Sequence, residues 1–118
     1  MDKILDNLLL CNLSRTAFAD GHSYKGQPII ITEYGGIAFN KGEGWGYGNK
    51  VTSKEEYIKR FDAITTAVKK VGAICGYCYT QVTDIQQEIN GIMDIERNFK
   101  VSPDILKEIN TRKTGGLH

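Results

Sequence analysis

Residues 28–36 read PIIITEYGG: a run of three isoleucines, one carboxylate at Glu33, and two glycines. Ile30 faces opposite to Ile29 and Ile31 in an extended chain, so a strand over Pro28–Thr32 is apolar on both sides. That double-sided pattern belongs to parallel strands covered on both faces, the arrangement of α/β folds. By parity Glu33 shares a face with Ile29 and Ile31, and the glycines after it let the chain turn away. Ligands of parallel α/β sheets and barrels bind at the carboxyl ends of the strands. Glu33 stands at such an end and is the first candidate functional residue; a solvated acid at a strand exit is the plain alternative.

The sequence on either side supports the same fold class. Residues 35–50, GGIAFNKGEGWGYGNK, hold six glycines with Trp45 and Tyr47 among them and read as a long loop. Ser53 and Glu56 then form a capping box, and Tyr57, Phe61, Ile64, Val68 and Val71 follow at spacings of 4, 3, 4 and 3 before Gly72. This predicts one amphipathic helix. The short aromatic run Ala73–Tyr79 predicts a second strand, and a strand, helix, strand order makes the two strands parallel. Residues 80–100 read as another long connection with a helical turn around Ile85 to Ile89. Ser102-Pro103 then starts a helix whose apolar side is Ile105, Leu106 and Ile109. Upstream, Ile4, Leu5, Leu8 and Leu9 predict a short helix over residues 2–13, and Asp20-Gly21 and Lys25-Gly26 carry turn chemistry.

Composition narrows the function. The 118 residues are one domain's worth, and 41% hydrophobic content is that of a folded chain. Fifteen basic residues against fourteen acidic ones, with no basic run longer than Lys69-Lys70, give nucleic acid or anionic membrane no electrostatic purchase. No stretch approaches the roughly 18 apolar residues of a membrane span, and the N-terminus, with Asp2 and Asp6, lacks the pattern of a signal peptide. Cys11, Cys75 and Cys78 are odd in number and set in apolar surroundings, which favours a reducing, cytoplasmic compartment over a disulfide scaffold.

The residues Cys75-Gly-Tyr-Cys78 form the sharpest generic motif, a C-x-x-C beside a βα pattern. Redox chemistry needs the first thiol at a helix N-terminus, where the dipole favours the thiolate. In a strand, the two cysteines differ by an odd number of positions and point to opposite faces, so the expectation is a pair of packed, inert thiols; a thiol-disulfide oxidoreductase is the alternative. His22 and His118 have no second ligand at metal spacing. The glycines of residues 42–48 lack the Lys-Ser/Thr of a phosphate loop. No cofactor or metal is expected.

Two segments, QPIIITEYGG and GAICGYCYTQVTDIQQEINGIMDIERNFK, lie in the order and separation seen at the C-terminal end of the catalytic barrel of glycoside hydrolase family 2. The chain resembles the last two βα units of that (β/α)8 TIM barrel over most of residues 1–112. The resemblance implies that Glu33 is the nucleophile of a retaining β-glycosidase of β-galactosidase type, acting on a carbohydrate substrate. It also implies that Tyr79 occupies the position of an aromatic wall for the sugar, where the family often has tryptophan, with Tyr34, Trp45 and Tyr47 as further substrate contacts.

The family's general acid/base is a glutamate preceded by asparagine, and no Asn-Glu pair occurs in this sequence. A complete barrel takes about 250 residues, so the expectation is a fragment carrying one carboxylate of a catalytic pair, inactive alone and prone to associate with copies of itself. A free-standing α/β module that binds carbohydrate or protein is the competing expectation.

Overall fold

A computed structural model describes residues 18–39 and 44–114. The expected helix at residues 2–13 lies outside the described residues. Among the described residues six elements follow in order: β1 (Ile29–Gly35), β2 (Ile37–Phe39), β3 (Tyr47–Val51), α1 (Lys54–Lys69), β4 (Ile74–Thr80) and α2 (Pro103–Thr111). β1 pairs with β4 in parallel, and α1 is the helix between them. The described residues therefore form a small α/β unit with parallel strands.

Local chemistry accounts for the helix boundaries. The Ser53 hydroxyl accepts the Glu56 N–H at 3.1 Å, while the Glu56 carboxylate reaches back to the Thr52 N–H at 3.0 Å. Two backbone donors at the helix start are thus satisfied, a cap worth about 1 kcal/mol. Tyr57, Phe61, Thr65 and Val68 are the buried stripe of α1. Thr65 joins that stripe as its polar member, and Ile64, half-buried, packs against the same core. In α2, proline opens the helix, Leu106 and Ile109 are buried, and Ile105 lies outward.

Two apolar clusters meet on α1. One joins Tyr57 and Phe61 to Ile37, Val51, Val101, Leu106 and Ile109, so it ties β2, β3 and α2 to the first half of the helix. The other joins Val68 and Val71 to Ile74, with Ile29, Ile31, Tyr34 and Tyr77 packed against them. Among the described residues, one side of the β1–β4 sheet is covered, and Ile30 on the other is 60% exposed. The expectation of a strand buried on both faces is corrected accordingly, because α1 covers the Ile29 and Ile31 side alone.

Three further expectations change. Residues 35–50 are not all loop, since β2 and β3 form a second parallel pair, with Ile37 opposite Tyr47 and Phe39 opposite Val51. Residues 85–89 form no helical turn; Ile85 and Glu88 face one another in an antiparallel bridge closed by mutual backbone hydrogen bonds of 3.0 and 2.9 Å. Irregular chain in this connection is held by side chains instead. Asp84 accepts from the Gly91 N–H at 2.8 Å and from the Lys100 ammonium at 2.7 Å, and Lys100 also donates to the Ile89 carbonyl at 2.9 Å. Asn90, fully buried, accepts from the Gln81 amide at 2.7 Å. Such buried groups are tolerated because each has a partner.

Candidate functional site

The site is built at the carboxyl end of β1. Strand register runs Ile31 opposite Tyr77 and then Tyr34 opposite Tyr79, so β1 carries one residue more than β4 across this interval. An extra residue breaks the period of two. Tyr34, not Glu33, therefore joins Ile29 and Ile31 in the packing against α1. Glu33 is exposed, and among the described residues its carboxylate has no ion-pair partner. The parity argument from sequence is corrected by this irregularity, while the position of Glu33 near the strand's end stands.

Both glycines after Tyr34 have left-handed backbone, φ +94° at Gly35 and +63° at Gly36. Each is also pressed against an aromatic ring: a Cβ at Gly35 would collide with Tyr79, and one at Gly36 with Tyr47. Only glycine meets both demands. The Gly36 N–H donates to the Thr80 carbonyl at 2.8 Å, and its carbonyl accepts from the Tyr47 N–H at 2.7 Å. The end of β1, the end of β4 and the start of β3 are thereby drawn to one place.

The four expected aromatic contacts divide into two pairs. Tyr34 and Tyr79 lie inside the packing. The Tyr34 hydroxyl is 2.9 Å from the Thr65 hydroxyl, and its ring meets those of Tyr77 and Tyr79 edge-on, each at 5.5 Å. The Tyr79 hydroxyl accepts the Ile37 N–H at 3.3 Å and lies 3.0 Å from the Tyr57 hydroxyl, with its ring 5.0 Å from Phe61. Burial raises the pKa of both phenols, that of Tyr34 to about 12, against the smaller lowering effect of the Thr65 hydrogen bond. These groups stay neutral through the physiological range. The residues facing α1 are core, and the irregularity in β1 is what sends Tyr34 there.

Trp45 and Tyr47 are the exposed pair, 51% and 55% accessible. Their rings lie edge to face at 6.1 Å. The Trp45 backbone is fixed between the Gln87 carbonyl at 2.7 Å and the Ile89 N–H at 2.8 Å, so the connection after β4 positions this ring. Aromatic faces held open by anchored backbone suit the apolar C–H face of a sugar.

Cys75 and Cys78 lie within β4, both free and exposed. The expectation of packed thiols is corrected: α1 covers Ile74 and the tyrosines of the strand and leaves the two cysteines exposed. A strand location withholds the helix-dipole support that C-x-x-C redox chemistry uses. Among the described residues, no group of three or more His, Cys, Asp and Glu side chains gathers as a metal site, and no helix is long and apolar enough to cross a membrane.

Thr65, Asp84 and Lys100 were not marked by sequence reasoning. Thr65 sits at helical spacing from Phe61 and Val68, a signal that an apolar-only stripe passes over. Asp84 and Lys100 meet across 16 residues of irregular chain, where no periodicity exists to read. Neither the comparison with protein-family models nor that with curated proteins gives a match.

Proposed function

We propose that this chain supplies the nucleophile-bearing part of a retaining β-glycosidase barrel of glycoside hydrolase family 2, with Glu33 as the nucleophile. The observation that carries this reading is the exposed Glu33 at the carboxyl end of a parallel strand, beside a glycine pair that draws the aromatic-bearing segment against the strand's end. The resemblance of the two quoted segments supports it.

In the proposed reaction a Glu33 carboxylate oxygen attacks the anomeric carbon. The bond from that carbon to the leaving oxygen breaks, and a second carboxyl group about 5–5.5 Å away protonates the departing alcohol. The same group then takes a proton from water, which attacks the glycosyl-enzyme ester and releases the sugar and free Glu33. Trp45 and Tyr47 are the proposed sugar-facing aromatics; Tyr34 and Tyr79 act from beneath as support. The acid/base comes from another part of the barrel. Without its help, worth roughly 10²–10⁴-fold, the 118-residue chain alone hydrolyses unactivated glycosides poorly.

The test uses the polypeptide that carries this segment within a complete barrel. Glu33→Gln removes the attacking oxygen's charge and lowers turnover of aryl β-glycosides by several orders of magnitude. A 2-fluoro glycoside with an activated leaving group labels Glu33, read by peptide mass. Full activity in Glu33→Gln, or a label on another residue, sinks the assignment. The exposed Trp45–Tyr47 pair also favours a second reading, carbohydrate binding without hydrolysis, in which sugar binds reversibly and the fluoroglycoside labels nothing.

A further inference from the structure

The side of the β1–β4 sheet left open by α1 has a defined composition. Tyr77 and Tyr79 both pack toward the helix, so Cys78 between them points to the open side. Gly76 belongs to that side as well, since a Cβ built on it would lie 3.9 Å from the exposed Ile30 side chain. On β1, the register steps from Ile31 opposite Tyr77 to Tyr34 opposite Tyr79. Thr32 and Glu33 therefore stand opposite the single residue Cys78, and all three are exposed. Hydrogen-bonded strands lie about 4.8 Å apart.

We infer that Cys78 is a specificity-determining residue of the Glu33 site: its side chain forms the wall that adjoins the nucleophile on the neighbouring strand. This inference rests on the reading of Glu33 as a glycosidase nucleophile. A sugar ring seated over the Glu33 carboxylate extends beyond one strand's width. On β4 it meets Gly76 and Cys78, two small residues that leave room on the open side, while Tyr77 and Tyr79 turn toward α1. The thiol offers a weak donor and a polarizable surface, and any bulky group on its sulfur fills the space the ring needs.

Two experiments test this. The first asks for juxtaposition in the 118-residue chain itself. In a Cys11→Ser, Cys75→Ser background, Glu33→Cys followed by mild oxidation closes a bond to Cys78, seen as loss of both free thiols and as a linked peptide by mass. Failure to close that bond, or preferential closure from Thr32→Cys, overturns the placement. The second uses the complete barrel with no substitution. Iodoacetamide alkylates Cys78 and Cys75 in the free protein, and alkylation of Cys78 abolishes glycoside turnover.

Once a fluorosugar is trapped on Glu33, Cys78 is no longer alkylated. Cys75, which lines a cleft with Lys69, Tyr77 and Asn110, reacts at its original rate. Equal alkylation of Cys78 with the sugar in place overturns the inference while leaving Glu33 as nucleophile. A fluorosugar found on a different residue instead removes the functional reading beneath it.

Discussion

Removing the Lys100 ammonium is the most informative perturbation of the fold. Its side chain is 8% exposed and that of Asp84 5%, and they meet at 2.7 Å. In Lys100→Met the aliphatic stem is kept and the charge is lost. Asp84 is left with the Gly91 N–H as its hydrogen-bond donor, and the Ile89 carbonyl loses its 2.9 Å ammonium partner. Breaking a buried pair by deleting one member costs about 3–5 kcal/mol, because the remaining charge is neither solvated nor neutralised.

Stability of a chain this size is roughly 0.05–0.15 kcal/mol per residue, so the loss is a large part of the total. At about 4 °C per kcal/mol, it corresponds to a fall in Tm of about 12–20 °C. Urea unfolding followed by circular dichroism measures it. The double variant Asp84→Asn, Lys100→Met removes the orphaned charge and recovers more than 1 kcal/mol of the single variant's loss, which separates charge burial from lost packing. A single-variant loss below about 1 kcal/mol would refute the reasoning, since that is the scale of a hydrated surface pair.

Three further outcomes are expected beside the Glu33→Gln result. Tyr34 titrates near pH 12, above the ordinary tyrosine value of 10.0; because the folded pKa is the raised one, its stabilising contribution is complete below pH 10 and fades as pH rises toward 12. Phenolate absorbance measured against pH checks this, and a fully normal titration in the folded chain contradicts the burial. Gly36→Ala forces a Cβ into the Tyr47 ring at positive φ and destabilises by at least about 1–2 kcal/mol, whereas Gly72→Ala, with open space around it, is tolerated; equal thermal shifts for the two count against the packed turn. Sedimentation at rising concentration shows association of the chain, driven by the exposed Ile30 side and by the edges of a sheet that has two strands among the described residues, and monomer throughout rejects that.

Periodic features were legible in the sequence and local breaks of period were not. The capping box at Ser53, the stripe through Tyr57 and Phe61, and the proline-led start of α2 all follow from residue type and spacing, and each is present. The parallel pairing of β1 and β4 follows from the helix between them. By contrast, the faces of Glu33 and Tyr34 depend on one extra residue in β1, and no residue between Ile31 and Tyr34 announces it. Gly35 and Gly36 announce a turn but not the rings pressed against them. β2 and β3 are short strands inside a glycine-rich stretch, where composition argues for loop and pairing partners decide otherwise. The exposure of Cys78 likewise depends on which side α1 covers, a matter of tertiary packing.

The Lys69 side chain gives the two helices a shared fate. Its ammonium donates to the carbonyls of Ile109, Asn110 and Arg112 at 3.1, 2.8 and 2.6 Å, while α2 has no basic residue in its own last turn. Those are the acceptors that a helix end leaves unsatisfied, and here the donor is borrowed from an element 40 residues earlier. The terminus of α2 is therefore written in three dimensions rather than in its own sequence. Fraying, which normally begins at a helix end, must here first undock α1, so amide exchange at the last turn of α2 should keep step with the opening of the βαβ unit as a whole.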